Sequence, residues 1–467
     1  MARLCCCCCC CCLRRRRLRN VLICLCSPCI CLALFVVYVG VVVYIRTQQF
    51  ISSGALMEGS VHIIHFVAPG SLRNANFAPL PQSFWTLDPA QGAIWNHLQL
   101  PIDRYFSPIL HPKQHKQPDS DSSEVLLKQS FSAVTNTDSL RKNFKQFPQQ
   151  IQDFVNHMDK RDYPNLIQPD GVCGAGASDE TGPPLLLLAI KTTELNFRNR
   201  QAIRQTWGRA GWVAGHRSSS GGYVRRVFLL GKGNPQDQGV DSSELLELES
   251  KHYGDILQWD FRDTFFNLTL KDIHFWRWFS LHCGQTQFVF KGDDDVFVNT
   301  PKMLSYLQDQ LRKPDANKVM ENFMVGDVIG AAMPSRANMS KYFIPDTFFK
   351  GLYPAYAGGG GVVYSGPLTK RLHDVSQRVH LFPIDDVYVG MLMVRLNTSP
   401  VHHPAFLTFG FSEKEEKEPC SYHTILLVHK RSPSQVLRLW DDMRKTRDQC
   451  RNVTLRKDTQ VVTQKLV

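Results

Sequence analysis

Past residue 31 the 467-residue chain has only four cysteines, Cys173, Cys283, Cys420 and Cys450. None forms a close C-x-x-C pair, which argues against a cysteine metal site. A second long apolar run is missing after Ile45: Leu185 to Ile190 is apolar but far shorter than the ~20 residues a membrane-spanning helix needs. A basic face interleaved with aromatics is absent too. Six of the +12 net charges sit on Arg3, Arg14, Arg15, Arg16, Arg17 and Arg19, and the remaining half is spread over the rest of the chain. Nucleic-acid binding is therefore not expected.

What is present divides the chain by composition. Cys5 to Cys12 form an unbroken run, and Cys24, Cys26, Cys29 and Cys31 lie in the apolar stretch that follows. Beside a membrane segment such a run reads either as an S-palmitoylation site or as a low-complexity tail. Val21 to Ile45 is apolar, uncharged and long enough to cross a bilayer. Arginines crowd its N-terminal side. The positive-inside rule then keeps 1–20 in the cytosol and sends everything after 45 across the membrane, behind a signal anchor. Residues 46–182 are rich in Gln, Ser, Pro, Asn and Asp and read as a mostly extended stem. Phe84-Trp85, Trp95-Asn96 and Tyr105 to Leu110 interrupt it; they either clamp onto the next domain or form local clusters. Four widely spaced cysteines in an exported segment suggest two disulfides, with three possible pairings.

From 183 to 467 the texture is that of a folded domain. Leu185 to Lys191 reads as a buried strand. Asn199 to Trp207 reads as a helix, with Ile203 and Trp207 on one face and Arg200 and Arg204 on another. Arg209 to Gly222 reads as a polar loop and Val224 to Leu230 as a strand. Asp241-Ser-Ser-Glu244 has capping-box spacing and opens a helix. Asp255 to Phe261 is a strand and Asn267 to Leu281 an aromatic-rich helix. Another strand begins at Phe288, and a helix at Thr300-Pro301, with Thr300 as N-cap. Strands alternating with helices predict an α/β fold with a mostly parallel sheet. In such sheets ligands bind at the carboxyl ends of strands.

Phe288-Val-Phe-Lys-Gly-Asp293-Asp294-Asp295-Val-Phe-Val-Asn299 puts three carboxylates at such an end. Like charges this close repel, so a positive group is expected among them. Clustered acceptor-only oxygens suit a hard divalent cation. A charged hairpin turn is the plainer reading, but it lacks the usual Gly or Asn after Asp. An EF-hand does not fit, because Val298 and Leu304 stand where Gly and Glu are needed. Tyr353-Pro-Ala-Tyr-Ala-Gly358-Gly359-Gly360-Gly361 runs straight into apolar Val362-Val363-Tyr364. That favours a ligand-facing loop over a flexible linker. Asp385 and Asp386 open a helix with Val387, Met391 and Val394 on one face. Neighbouring side chains point apart, so one acid caps and the other, assigned to Asp386, faces the cleft. His429 ends the apolar run from Ile425 and is either a structural strand-end histidine or a metal ligand.

These motifs, with Arg200-Gln-Ala-Ile-Arg204-Gln-Thr-Trp207-Gly208 and Arg262-Asp263-Thr-Phe-Phe-Asn-Leu-Thr-Leu-Lys271, occur in one order that resembles the β-1,3-glycosyltransferases of animal Golgi membranes, glycosyltransferase family 31. The resemblance covers about Pro183 to Lys430. Lys-Gly-Asp-Asp-Asp-Val-Phe-Val-Asn and Tyr-Ala-Gly-Gly-Gly-Gly look like the N-acetylglucosaminyltransferase branch. The resemblance implies a GT-A type nucleotide-sugar fold with a Rossmann-like core behind a single transmembrane helix. It implies UDP-GlcNAc as donor, Mn2+ as cation, inversion at the anomeric carbon and a glycan acceptor ending in galactose, on a glycoprotein or glycolipid. It implies a Golgi membrane protein with its catalytic domain in the lumen, extending poly-N-acetyllactosamine or keratan-type chains; a homo- or hetero-oligomer is a further expectation. By position it implies Asp293 and Asp295 as the Asp-x-Asp pair, Asp295 as the direct ligand, and His429 as the third metal ligand. Lys191, Arg200, Arg204, Asp293 and Asp294 would face the donor. Gly359, Gly360 and Asp385 would face the acceptor, and Asp386 would be the base. The implied disulfides are Cys173–Cys283 and Cys420–Cys450. Asn267, Asn338 and Asn452 open glycosylation sequons, as does Asn397, which Pro400 follows. Rival expectations are a β-1,3-galactosyltransferase on the same core, or a non-catalytic Golgi lectin or chaperone that would have lost the metal acids or the base.

Overall fold

The computed structural model describes residues 37–40, 93–106, 144–145, 147–217, 219–330 and 332–457. The poly-Cys tail, Phe84-Trp85 and all of the 21–45 anchor except four helical residues at 37–40 lie outside them. Among the described residues no helix is long and apolar enough to cross a membrane. The described residues from 93 onward belong to one compact unit.

Its strands are β1 (Asn165–Ile167), β2 (Leu186–Lys191), β3 (Gly211–Ala214), β4 (Gly221–Lys232), β5 (Ile256–Arg262), β6 (Phe288–Asp293), β7 (Phe297–Val298), β8 (Met324–Gly326), β9 (Val328–Ile329), β10 (Tyr356–Ala357), β11 (Gly361–Ser365), β12 (Val401–His402), β13 (Phe406–Leu407) and β14 (Leu427–Val428). The main sheet runs β1-β5-β4-β2-β6-β11-β8-β12, with β3 on β4. Its centre, β5-β4-β2-β6, is parallel. Antiparallel β1 and β11 flank that centre, which makes the fold a mixed α/β one. A small sheet, β13-β14-β7, stands beside it.

Both faces are covered, so every residue of β2 is buried. Side chains alternate between the faces. Leu187 and Ala189 join Trp276 and Phe279 of α5 (Leu268–His282), Leu372 of α7 (Gly366–Ser376) and Leu392 of α8 (Asp385–Arg395). Leu186, Leu188 and Ile190 join Ile203 of α3 (Phe197–Gln205) and Leu304 of α6 (Thr300–Leu311).

The described part of the 46–182 stretch is packed into this unit rather than extended. In α1 (Ile94–Phe106), Trp95 is fully buried and its indole N–H donates to the Leu381 carbonyl at 3.0 Å. Asp103 pairs with Arg395 at 2.6 Å, α2 (Gln149–His157) adds Ile151 and Phe154 to the core, and β1 lengthens the sheet. The clamp reading of Trp95 is thus the one the packing follows. Three local expectations change. The polar loop at Arg209 contains β3, hairpinned onto β4. Asp241 accepts the Ser243 N–H at 3.0 Å as a turn ahead of α4 (Ser243–Tyr253), with no reciprocal capping box. Asn299 caps α6, because the Thr300 hydroxyl donates instead to the Trp207 carbonyl at 2.6 Å.

Candidate active site

Parallel register sets Lys191 opposite Asp293 at the carboxyl ends of β2 and β6. The chain then turns back as β7, which pairs with β14 so that Val428 faces Phe297, and His429 arrives beside Asp295. His429 Nε2 lies 3.2 Å from Asp295 Oδ1 and 3.7 Å from Asp293 Oδ2. One donor atom from each of the three falls within 4.8 Å of the others. Burial opposes charge on His429, yet Asp295 and Asp293 raise its pKa overall. Burial likewise opposes charge on Asp295, and His429 holds its pKa down. Two carboxylates with one imidazole fit a divalent ion that prefers oxygen ligands.

The positive group expected among the acids is Lys191. Its Nζ lies 3.1 Å from Asp293 Oδ1 and 2.7 Å from Asp385 Oδ2. Burial alone would discharge it; the surrounding carboxylates instead raise its pKa. Lys291 pairs with Asp272 at 2.6 Å and reaches Asp385 at 3.7 Å. Despite burial, Lys191 and Lys291 hold the Asp385 carboxyl down to about 2. Burial and the adjacent Asp385 push Asp386 up to about 8. Two neighbouring acids thereby acquire opposite characters: Asp385 is a fixed anion, and Asp386 is a proton-binding group close to neutrality.

The glycine loop lies across both halves of this arrangement. β11 pairs with β6, Gly361 opposite Gly292. A Cβ on Gly359 would come within 2.6 Å of Asp386 Oδ2, and one on Gly360 within 2.9 Å of the His429 Cβ. Consecutive residues therefore touch the candidate base and the candidate metal ligand, and only glycine permits that approach.

Four expected contacts fall elsewhere. Asp294 alternates to the opposite side of the turn, where it accepts from the Thr192 hydroxyl and from the Asn196 amide at 2.9 Å. Burial raises its pKa to about 6. Arg200 and Arg204 do not face a nucleotide. Arg200 is buried on Glu249 at 2.6 Å, and Arg204 on Glu249 at 2.6 Å and Asp255 at 2.7 Å. Arg200 also donates to the carbonyls of Thr193 and Glu194, and so braces the loop after β2. Asp385 is buried in the lysine network rather than offered to an acceptor, and it does not cap α8. Residues that sequence reasoning missed are Lys291, Asp272 and Glu249. The signal was a lone lysine inside an apolar strand and acids inside helices.

Cysteines pair as Cys173–Cys283 and Cys420–Cys450. Asn338 and Asn452 are exposed, whereas the Asn267 amide donates to the Arg262 carbonyl at 2.8 Å and the Thr269 hydroxyl to the Phe382 carbonyl at 2.6 Å.

Residues 198–404 match the family model described as Galactosyltransferase. The N-acetyllactosaminide β-1,3-N-acetylglucosaminyltransferase 2 of Mus musculus is 40% identical over 370 residues, 79% of this chain and 89% of that protein. Its Homo sapiens namesake is 40% identical over 373 residues, with the same two coverages. The Homo sapiens UDP-GlcNAc:βGal β-1,3-N-acetylglucosaminyltransferase 9 is 44% identical over 310 residues, 62% of this chain and 73% of that protein. On this likeness, and with the acids of both motifs gathered at the carboxyl ends of the central strands, the chain belongs to the galactosyltransferase-type family that includes these β-1,3-N-acetylglucosaminyltransferases.

Proposed function

We propose that this chain moves N-acetylglucosamine from UDP-GlcNAc to the 3-hydroxyl of a terminal galactose, in β-1,3 linkage and with inversion. The names of the relatives support the donor and the linkage. The observation that carries the reading is Lys191, which touches Asp293 on one side and Asp385, next to Asp386, on the other. That bridge supports a reading in which the metal acids and the base work on one donor and acceptor.

Asp293, Asp295 and His429 would hold Mn2+. When bound, such a cation would supply charge compensation and Lewis acidity for a leaving diphosphate. Asp386, ionised, accepts the proton of the galactose 3-hydroxyl as that oxygen bonds to the anomeric carbon. The bond from that carbon to the UDP oxygen breaks, and its electron pair leaves with the diphosphate. A single displacement inverts the centre. A base whose proton affinity lies near neutrality contributes about 10²–10⁴-fold. Lys191 holds both acidic groups in place, and the glycine loop lets a sugar approach the cleft closely.

The Asp-x-Asp pair at the end of a parallel strand supports a GT-A type fold. The Val21 to Ile45 run, its flanking arginines and two disulfides support an anchor with the catalytic part on the oxidising, luminal side of a Golgi membrane. Protease protection in sealed microsomes tests that topology. Donor competition tests the activity: UDP-GlcNAc should outcompete UDP-Gal, and preference for UDP-Gal would make the chain a β-1,3-galactosyltransferase. No metal-dependent transfer from either donor would leave only a lectin or chaperone role.

A further inference from the structure

A second cavity, of about 460 Å³, lies between the end of α3, β3, the first turn of α6 and the helix α9 (Pro433–Lys445). It is not the cleft described above. β3 pairs Gly211 with Val224, and Val224 pairs with Leu186, at the opposite end of β2 from Lys191. Arg209, Lys302, Arg444 and Arg447 line it, and no carboxylate does. Among the described residues, none of these four cations has a carboxylate within salt-bridge distance. Lys302 is only 4% exposed, and its ammonium donates to the carbonyls of His423 and Val453. A buried cation without a counter-ion is costly.

Two further lining residues, Trp207 and Trp440, have indole N–H groups that are buried with no hydrogen-bond partner. Trp207 is 1% exposed. An indole N–H can only donate. The α6 amino terminus adds the positive end of a helix dipole. The two unpartnered indole N–H groups need an acceptor, and the uncompensated cations around them favour one that carries negative charge. Burial lowers the pKa of both histidines lining the cavity, His216 and His423, and the Lys302 charge depresses them further.

We propose that this cavity binds a tetrahedral oxyanion, the phosphate or sulfate group of an ester, at a site separate from the transfer cleft. Several oxygens suit donors converging from indoles, an ammonium and guanidinium forks. The site does not depend on the activity proposed above, because its test reads binding directly.

Isothermal titration of the full-length protein in detergent with sodium sulfate, then with sodium phosphate, is compared with sodium chloride at equal ionic strength. One saturable site is expected for at least one of the two anions. Arg444→Gln with Arg447→Gln, both on the exposed rim, should weaken it about tenfold or more. Trp440→Phe, which keeps an aromatic side chain and removes the N–H, should weaken it severalfold. Both variants should transfer to an uncharged acceptor at the wild-type rate. Glucose 6-sulfate against glucose 6-phosphate then tells which ester is preferred. Absence of saturable heat for both inorganic anions, or equal affinity in the double variant and the wild type, would overturn the proposal.

Discussion

Replacing Asp386 by Asn removes one proton-binding group and keeps its shape. The Asp386 carboxyl sits near 8 in the folded protein, against 3.8 for the ordinary group. Between those values the native state holds a proton that the unfolded state has released. The sign follows: Asp386 costs nothing below about pH 4, costs more as pH rises, and levels off above about pH 8. At about 1.36 kcal/mol per pKa unit, a rise in this direction costs on the order of a few kcal/mol at pH 7. Asp386→Asn lacks that cost. It should therefore melt several degrees higher than the wild type at pH 8 and at the same temperature near pH 4. Transfer should fall by about 10²–10⁴-fold while metal-dependent UDP binding persists. Thermal unfolding across pH, beside a transfer assay, measures both. A stability difference that does not change with pH, or full residual transfer, would refute the assignment.

Other substitutions probe the remaining parts of the site and fold. Asp295→Ala should abolish the metal-dependent share of UDP affinity, measured by titration with and without Mn2+; unchanged metal dependence would remove Asp295 from the ligand set. Gly360→Ala places a methyl group 2.9 Å from the His429 Cβ, so metal affinity should fall about tenfold through displacement of the histidine. Asp385→Asn removes the charge that helps raise Asp386, so the acidic limb of kcat/KM should move to lower pH; an unmoved limb would uncouple the two acids. Trp95→Ala should cost about 3–5 kcal/mol in chemical denaturation, the usual loss for a buried tryptophan.

Much of the centre was legible because apolar runs and acids are local signals. Leu186 to Lys191 and Phe288 to Asp293 form strands where the pattern placed them, and Asp293, Asp295 and His429 gather at one end. Arg200 and Arg204 were misread because helical spacing says which residues share a face, not which way that face points. Their partners Glu249 and Asp255 lie far along the chain. Asp294 differs from its two neighbours because it lies in the turn after β6, where its carboxylate meets Thr192 and Asn196. The evenly spread positive charge is also a sequence view. Arg209, Lys302, Arg444 and Arg447 come from three distant segments and meet at one cavity. Trp95 in a polar, proline-rich stretch gave no period to read, and its partners Phe349 and Phe382 lie hundreds of residues away.

The packing of α1 and β1 sets how far the chain can be trimmed from its N-terminal side. A protease that cut at residue 182 would leave the upstream piece covalently tied through Cys173–Cys283 and hydrogen-bonded along β5. Reduction and removal of that piece would bare the aromatic surface under Trp95 and strip an edge from the sheet. An active fragment therefore has to begin ahead of Ile94, and the N-terminal sequence of a protease-resistant core would report where it starts.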